Sequence, residues 1–241
     1  MPEQVYPRRV SPAPPSRPDA MDWGTYASRW SALHGGYDPR RSSPLVQGWL
    51  RMAYRLAKVL AASRVSPNAV TLLGLAISVA VPLVVRSGGG WPIAAAVLVC
   101  ASAIADTLDG ALAVVSRRTS RLGHIYDSLA DRISEACWLV AFGLLGAPIW
   151  LIVLSGAMAW LQEYTRARAG AAGMQEIGTV TVAERPTRIL LAIFGLVFAG
   201  IGGLVSPELA VGTVTVTAAI WAVLAAIGLL QLLVVVREEL G

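Results

Sequence analysis

The sequence predicts an all-α integral membrane protein, with six transmembrane helices preceded by an amphipathic helix lying at the cytoplasmic interface. Three observations carry that expectation. Hydrophobic residues make up 55% of the chain and charged residues only 15%, with a mean hydropathy of +0.60, well away from the balance of a soluble domain. The charges also cluster, leaving 69–85, 91–105 and 189–205 without any. Finally, the basic residues alternate from one connection to the next, as membrane topology demands.

Residues 1–43 are expected to form an N-terminal cytoplasmic segment. Its first ~20 residues are read as disordered, being rich in Pro and Arg with no apolar core, and for the same reason they do not resemble a cleavable signal peptide. Trp23, Tyr26 and Trp30 then indicate a stretch that packs on the membrane surface or on the cytoplasmic face of the bundle. Residues 44–63 read as the amphipathic helix. Gln47, Arg51, Arg55 and Lys58 recur at helical spacing opposite Leu45, Val46, Trp49, Met52, Leu56, Val59 and Leu60, a basic and an apolar face suited to a lipid interface. Pro67 is the expected break before the first span.

Residues 64–241 form the six-helix domain. With about 20 apolar residues needed per span, the helices fall near 69–85, 91–113, 121–145, 149–168, 185–205 and 209–236. Breaks at 87–90, 146–148, 170–181 and 206–207 carry Gly, Pro or Ser chemistry that ends helices. Cys100 and Cys137 fall inside spans without metal-ligand spacing and read as small apolar residues.

Ten basic residues precede the first span, among them Arg51, Arg55, Lys58 and Arg64. Arg117, Arg118 and Arg121 join spans two and three, and Arg166, Arg168, Arg185 and Arg188 flank the connection from four to five. The alternate loops hold only Arg86. Both termini should therefore face the cytoplasm, and the expected location is the plasma membrane. The net charge of +5 is accounted for by this topology, so no nucleic-acid partner is expected.

Four aspartates interrupt this apolar frame: Asp106, Asp109, Asp127 and Asp131. A carboxylate at membrane depth costs roughly 2.5 kcal/mol or more unless paired, hydrated or metal-bound. Spacings of three and four put each pair on one helix face, and antiparallel neighbours would bring both pairs to one depth at the cytoplasmic end. Four such charges repel strongly unless neutralised. Oxygen ligands suit hard divalent cations, two Mg²⁺ or Mn²⁺ ions here. Gly110 and Gly123 leave room for close approach beside the carboxylates.

Asp106-x-x-Asp109-Gly110-x-x-Ala113 … Gly123-x-x-x-Asp127-x-x-x-Asp131 resembles the signature of the CDP-alcohol phosphotransferases (CDP-alcohol phosphatidyltransferases). The likeness extends to Asn68 and Thr71 in Pro67-Asn68-x-Val70-Thr71-x-x-Gly74, and to Glu184-Arg185-Pro186-x-Arg188. In layout it is closest to the family's actinobacterial phosphatidylinositol-phosphate synthases. The resemblance implies a dimeric membrane enzyme of phospholipid biosynthesis. It would transfer a phosphatidyl group from CDP-diacylglycerol to an alcohol and release CMP. It implies metal at Asp106, Asp109, Asp127 and Asp131, with Asp131 also the general base. Donor contacts fall to Asn68, Thr71, Asp109, Gly110, Ala113 and Gly123. One position departs: where the family places Arg after that alanine, this chain has Val114. Arg118, one turn further on if the helix continues, is the expected substitute.

Arg166, Arg168, Arg185 and Arg188 converge on the same end and point to an anionic acceptor, inositol phosphate or glycerol 3-phosphate, because guanidinium pairs phosphate bidentately. The competing reading pairs them with Glu163 and Glu184. Arg166 stands where those synthases carry Lys and Glu163 where they carry Ser, and an acid there would repel a phosphorylated acceptor. His124 reads as a surface polar group, and His34 has no evident partner. A transporter or ion pathway is the rival of another class. It would spread its acids across membrane depth or over inverted halves, whereas these lie at one end.

Overall fold

A computed structural model describes residues 21–33, 37–174 and 181–241. The expected disorder of the first ~20 residues and the surroundings of His34 lie outside the described residues. The described chain is helical: α1 (Trp23–Leu33), a short 3-10 turn (Pro39–Arg41), α2 (Pro44–Ala62), α3 (Pro67–Val85), α4 (Trp91–Val115), α5 (Arg121–Leu144), α6 (Ile149–Ala171), α7 (Arg185–Gly203) and α8 (Pro207–Leu240).

Serine and proline start these helices repeatedly. Ser43, Ser66 and Ser206 each place a side-chain oxygen on the first-turn N–H groups of α2, α3 and α8, with Pro44, Pro67 and Pro207 just inside. Proline there loses no hydrogen bond and has its φ already set. Thus Pro67 does separate two helices, by opening the second. Ser120 caps α5 in the same manner. Between α5 and α6 the chain turns at Gly146, with φ +105, where a Cβ would lie 2.8 Å from Val211 Cγ2. Only glycine satisfies both conditions.

Among the described residues, four helices are long and apolar enough to cross a membrane: α3, α4, α7 and α8. At 24 and 23 residues, α5 and α6 are of comparable length, but they carry the charged residues of the site. One core cluster joins Val81, Val99, Trp138, Phe142, Leu196 and Trp221, drawn from α3, α4, α5, α7 and α8. A second lies around α4's last turns, where Ala111, Leu112 and Val114 meet Met21, Tyr26, Ala53, Tyr54 and Ala57.

That second cluster decides what the N-terminal aromatics do. They pack on the end of the bundle: Tyr26 is fully buried, Tyr54 Oη–H donates to the Met21 carbonyl at 2.6 Å, and Arg51 lies over the Trp23 ring. Burial pushes the Tyr26 phenol up to about 12, so it remains neutral. α2 has three stripes rather than two. Leu50, Ala53, Tyr54 and Ala57 face the bundle; Leu45, Trp49, Met52, Leu56 and Val59 are exposed; Arg51, Arg55 and Lys58 line the third.

Candidate active site

The two aspartate pairs do converge, though not by side-by-side packing of their helices. α3 packs against both α4 and α5, while the other principal neighbours of α4 are α7 and α2. This corrects the expectation of adjacent antiparallel rods. Asp106, Asp109 and Asp131 line a small hollow of about 10 Å³ together with Thr71, Gly74 and Arg185 among others, and Asp127 comes up to Asp106 and Asp131 beside it. One water needs about 10–15 Å³ of such space, so the hollow suits an ion-sized group, not a nucleotide. α3 approaches α4 closely at Gly74, where a Cβ would sit 3.1 Å from that of Ala105, and the Ser102 hydroxyl donates to the Gly74 carbonyl at 3.0 Å. This contact holds the floor of the hollow.

Asp106, Asp127 and Asp131 can each offer a carboxylate oxygen, all within 4.8 Å of one another. Asp109 is turned aside: Thr71 Oγ1–H donates to its Oδ2 at 2.5 Å. Asp127 Oδ1 is buried without a hydrogen-bond partner, a costly arrangement for a carboxylate unless a cation is near. Arg185 Nη2 lies 3.0 Å from Asp106 Oδ1, and its Nη1 contacts Asp131 Oδ1. The donor set is therefore all oxygen and acidic, the kind that hard divalent cations take.

Of the remaining residues, Asn68 and Gly123 are neighbours, with Asn68 Oδ1 3.8 Å from where a Gly123 Cβ would lie. Gly110 is exposed with open space on its side-chain side, and Ala113 is half-buried. Those positions leave backbone free beside Asp109. His124 is exposed. Arg118 is not brought in along α4. The helix stops at Val115: Arg117 takes φ +56, and the Arg118 N–H donates back to the Ala113 carbonyl at 2.9 Å. That closure turns the chain off the helix axis, so the face on which Arg118 was expected does not exist.

The other arginines are matched to carboxylates. Arg166 Nη2 donates to Glu184 Oε1 at 2.6 Å. Arg188 is 1% exposed and lies 3.0 Å from both Glu135 and Glu163, while Arg132 reaches the same two acids at 3.1 and 3.3 Å. Arg168 is exposed in the last turn of α6, outside this network. Burial would raise the Glu184 carboxyl, but bonds from Arg166 and Thr181 outweigh it and hold the group below its usual range. Glu135, also 1% exposed, is the residue that sequence reasoning missed. Its spacing four after Asp131 places it one turn further along the same face, which was the available signal.

A family model for CDP-alcohol phosphatidyltransferases matches residues 64–236. The chain belongs to that family. It is thereby a transferase, and the transporter reading falls. The archaetidylinositol phosphate synthase of Pyrococcus horikoshii is 31% identical over 60% of this chain and 76% of its own length. A Mycobacterium marinum phosphatidylinositol phosphate synthase is 32% identical over 65% of this chain and 64% of its own. Among solved structures, a Mycobacterium tuberculosis phosphatidylinositol phosphate synthase with CDP-DAG bound aligns with a TM-score of 0.64 at 25% identity, covering 77% of this chain and 94% of that one. The same enzyme with manganese and citrate gives 0.66 at 25%, covering 78% and 90%.

Against the family pattern, Val114 now has a physical account. It is 4% exposed within the apolar cluster that α1 and α2 build on α4, and that N-terminal region precedes the matched residues. An arginine at this position would bury an unpaired charge among Tyr26, Tyr54 and Leu112. Val114→Arg is therefore expected to lower stability by roughly 3–5 kcal/mol. A melting temperature equal to that of the unsubstituted protein would contradict this packing.

Proposed function

We propose that this protein transfers a phosphatidyl group from CDP-diacylglycerol to a phosphorylated alcohol, with release of CMP. One observation carries the reading. Asp106, Asp127 and Asp131 bring carboxylate oxygens within 4.8 Å of one another, Asp127 Oδ1 having no hydrogen-bond partner among the described residues, with Arg185 alongside. Asp106, Asp109, Asp127 and Asp131 are assigned as holders of two divalent cations, Mg²⁺ or Mn²⁺. Bound there, such ions would neutralise the pyrophosphate and stabilise the leaving CMP.

The rest of the assignment concerns the chain's own groups. Asp131, at the acceptor side beside Arg185, takes the proton of the attacking hydroxyl, a role that needs a positioned carboxylate. Thr71 fixes Asp109. Asn68, Gly110, Ala113 and Gly123 line the open backbone on which the nucleotide is read. Arg118, in the loop after α4, is assigned to the donor's diphosphate in place of the arginine that Val114 replaces. Arg166, Arg168, Arg185 and Arg188 are assigned to the acceptor. The arginine cluster, and relatives named for phosphorylated inositol products, favour inositol phosphate or glycerol 3-phosphate.

The proposal includes six spans, α3 to α8. α5 and α6 cross with their charges gathered at one end, toward the cytoplasm, as the basic residues indicate. α2 lies along the plasma-membrane surface, because its exposed Leu45, Trp49, Met52, Leu56 and Val59 form a continuous apolar stripe beside a basic one. Exposed apolar side chains on α5 and α6, including Ile133, Val140 and Trp160, suit lipid or the face of a homodimer.

The test is to incubate detergent-solubilised protein with CDP-diacylglycerol and a panel of phosphorylated and unphosphorylated alcohols, following CMP. Release dependent on a phosphorylated alcohol is the expected result. Release with none of the panel would refute the acceptor assignment.

A further inference from the structure

Three glutamates hold Arg166 and Arg188, two of the guanidiniums assigned to the acceptor, and they are not equivalent. Glu184 accepts from Arg166, from the Thr181 N–H and from the Thr181 hydroxyl, so three donors fix it in place. Glu135 is sealed in, 1% exposed. Glu163 differs from both. Its side chain is 32% exposed, it lies on α6 facing α7, and its Oε1 lies 3.0 Å from Arg188 Nη2 and 3.3 Å from Arg132 Nη1. Of the three, it alone combines a route to solvent with ties to guanidiniums only.

We infer that Glu163 is an internal competitor for the guanidinium that the acceptor's phosphate engages, and so sets this chain's selectivity among acceptors. The inference rests on the anionic-acceptor reading above. Arg188 Nη2 is presented at the point where Glu163 sits, while Nε stays against Glu135. When Glu163 swings toward water, Arg188 keeps one carboxylate and offers a free fork edge, which pairs phosphate through charge-assisted hydrogen bonds. A phosphorylated acceptor must displace the acid to bind. An acceptor without phosphate has no need to. Glu163 thus lowers affinity for phosphorylated acceptors alone and narrows their advantage over unphosphorylated ones, since selectivity is a difference of affinities.

The experiment compares the full-length protein with Glu163→Gln and Glu163→Ser. Gln keeps size and polarity and Ser removes the side chain's reach; both leave Arg188 against Glu135, and the melting temperature of each variant reports folding separately from binding. KM and kcat are measured for phosphorylated and unphosphorylated acceptors. The inhibition constant of inorganic phosphate is measured against whichever acceptor is consumed. A charge-assisted contact no longer contested is worth on the order of tenfold in affinity. KM for a phosphorylated acceptor and the phosphate inhibition constant should both fall by about that factor, with the gain in KM rather than kcat. KM for an unphosphorylated acceptor should stay put. A residue that merely ties α6 to α7 would move kcat, or every KM together. Unchanged or weaker phosphate inhibition in both variants overturns the inference. If only unphosphorylated alcohols are consumed, the acceptor reading fails, while phosphate inhibition still decides the role of Glu163.

Discussion

Asp131→Asn is expected to reduce CMP release by about 10²–10⁴-fold, the usual contribution of a positioned general base. The substitution preserves shape, so binding of the CDP-linked donor in the presence of Mg²⁺ should be largely spared. Thermal stabilisation of the variant by CDP-diacylglycerol reports this. The expectation follows from placement. Asp131 is a half-buried carboxylate at the wall of the hollow, touched by Arg185 and 3.9 Å from Arg132. A variant that turns over at the rate of the unsubstituted protein would remove Asp131 from that role.

Chelation should stop turnover, and added Mg²⁺ or Mn²⁺ should restore it. The physical reason is charge. Among the described residues, the seven acids Asp106, Asp109, Asp127, Asp131, Glu135, Glu163 and Glu184 gather around the site with four guanidiniums, those of Arg132, Arg166, Arg185 and Arg188. That excess of negative charge is costly in a low-dielectric setting, and cations would relieve it. A second readout is independent of catalysis. A ligand at one hundred times its dissociation constant stabilises the folded state by about 2.7 kcal/mol, so melting temperature should rise with Mn²⁺. Asp127→Asn should blunt that rise. A melting temperature indifferent to Mn²⁺, with activity unaffected by chelator, would contradict the assignment.

Much of the architecture is legible because its signals are local. Ser43-Pro44, Ser66-Pro67 and Ser206-Pro207 each open a helix, and Gly88, Gly89 and Gly146 mark turns by their positive φ. The six helices expected after residue 64 coincide with α3 to α8 within a few residues, and among the described residues four of them are long and apolar enough to cross a membrane. Helix α5 shows where local reading falls short, since its charges keep it below the threshold for an apolar crossing.

The sequence by itself determined the helix positions, the pairing of the aspartates on helix faces, and the family signature, because periodicity and spacing reside in neighbouring residues. Tertiary structure alone decided that α3 packs against both aspartate helices, that Arg185 reaches Asp106 and Asp131, and that Glu135 and Glu163 share Arg188 and Arg132. It also placed Val114 under the N-terminal aromatics and ended α4 before Arg118. The reason is that partner choice among seven acids and four guanidiniums depends on which helix ends meet. That is set by packing between residues far apart in the chain, and no spacing within one helix encodes it.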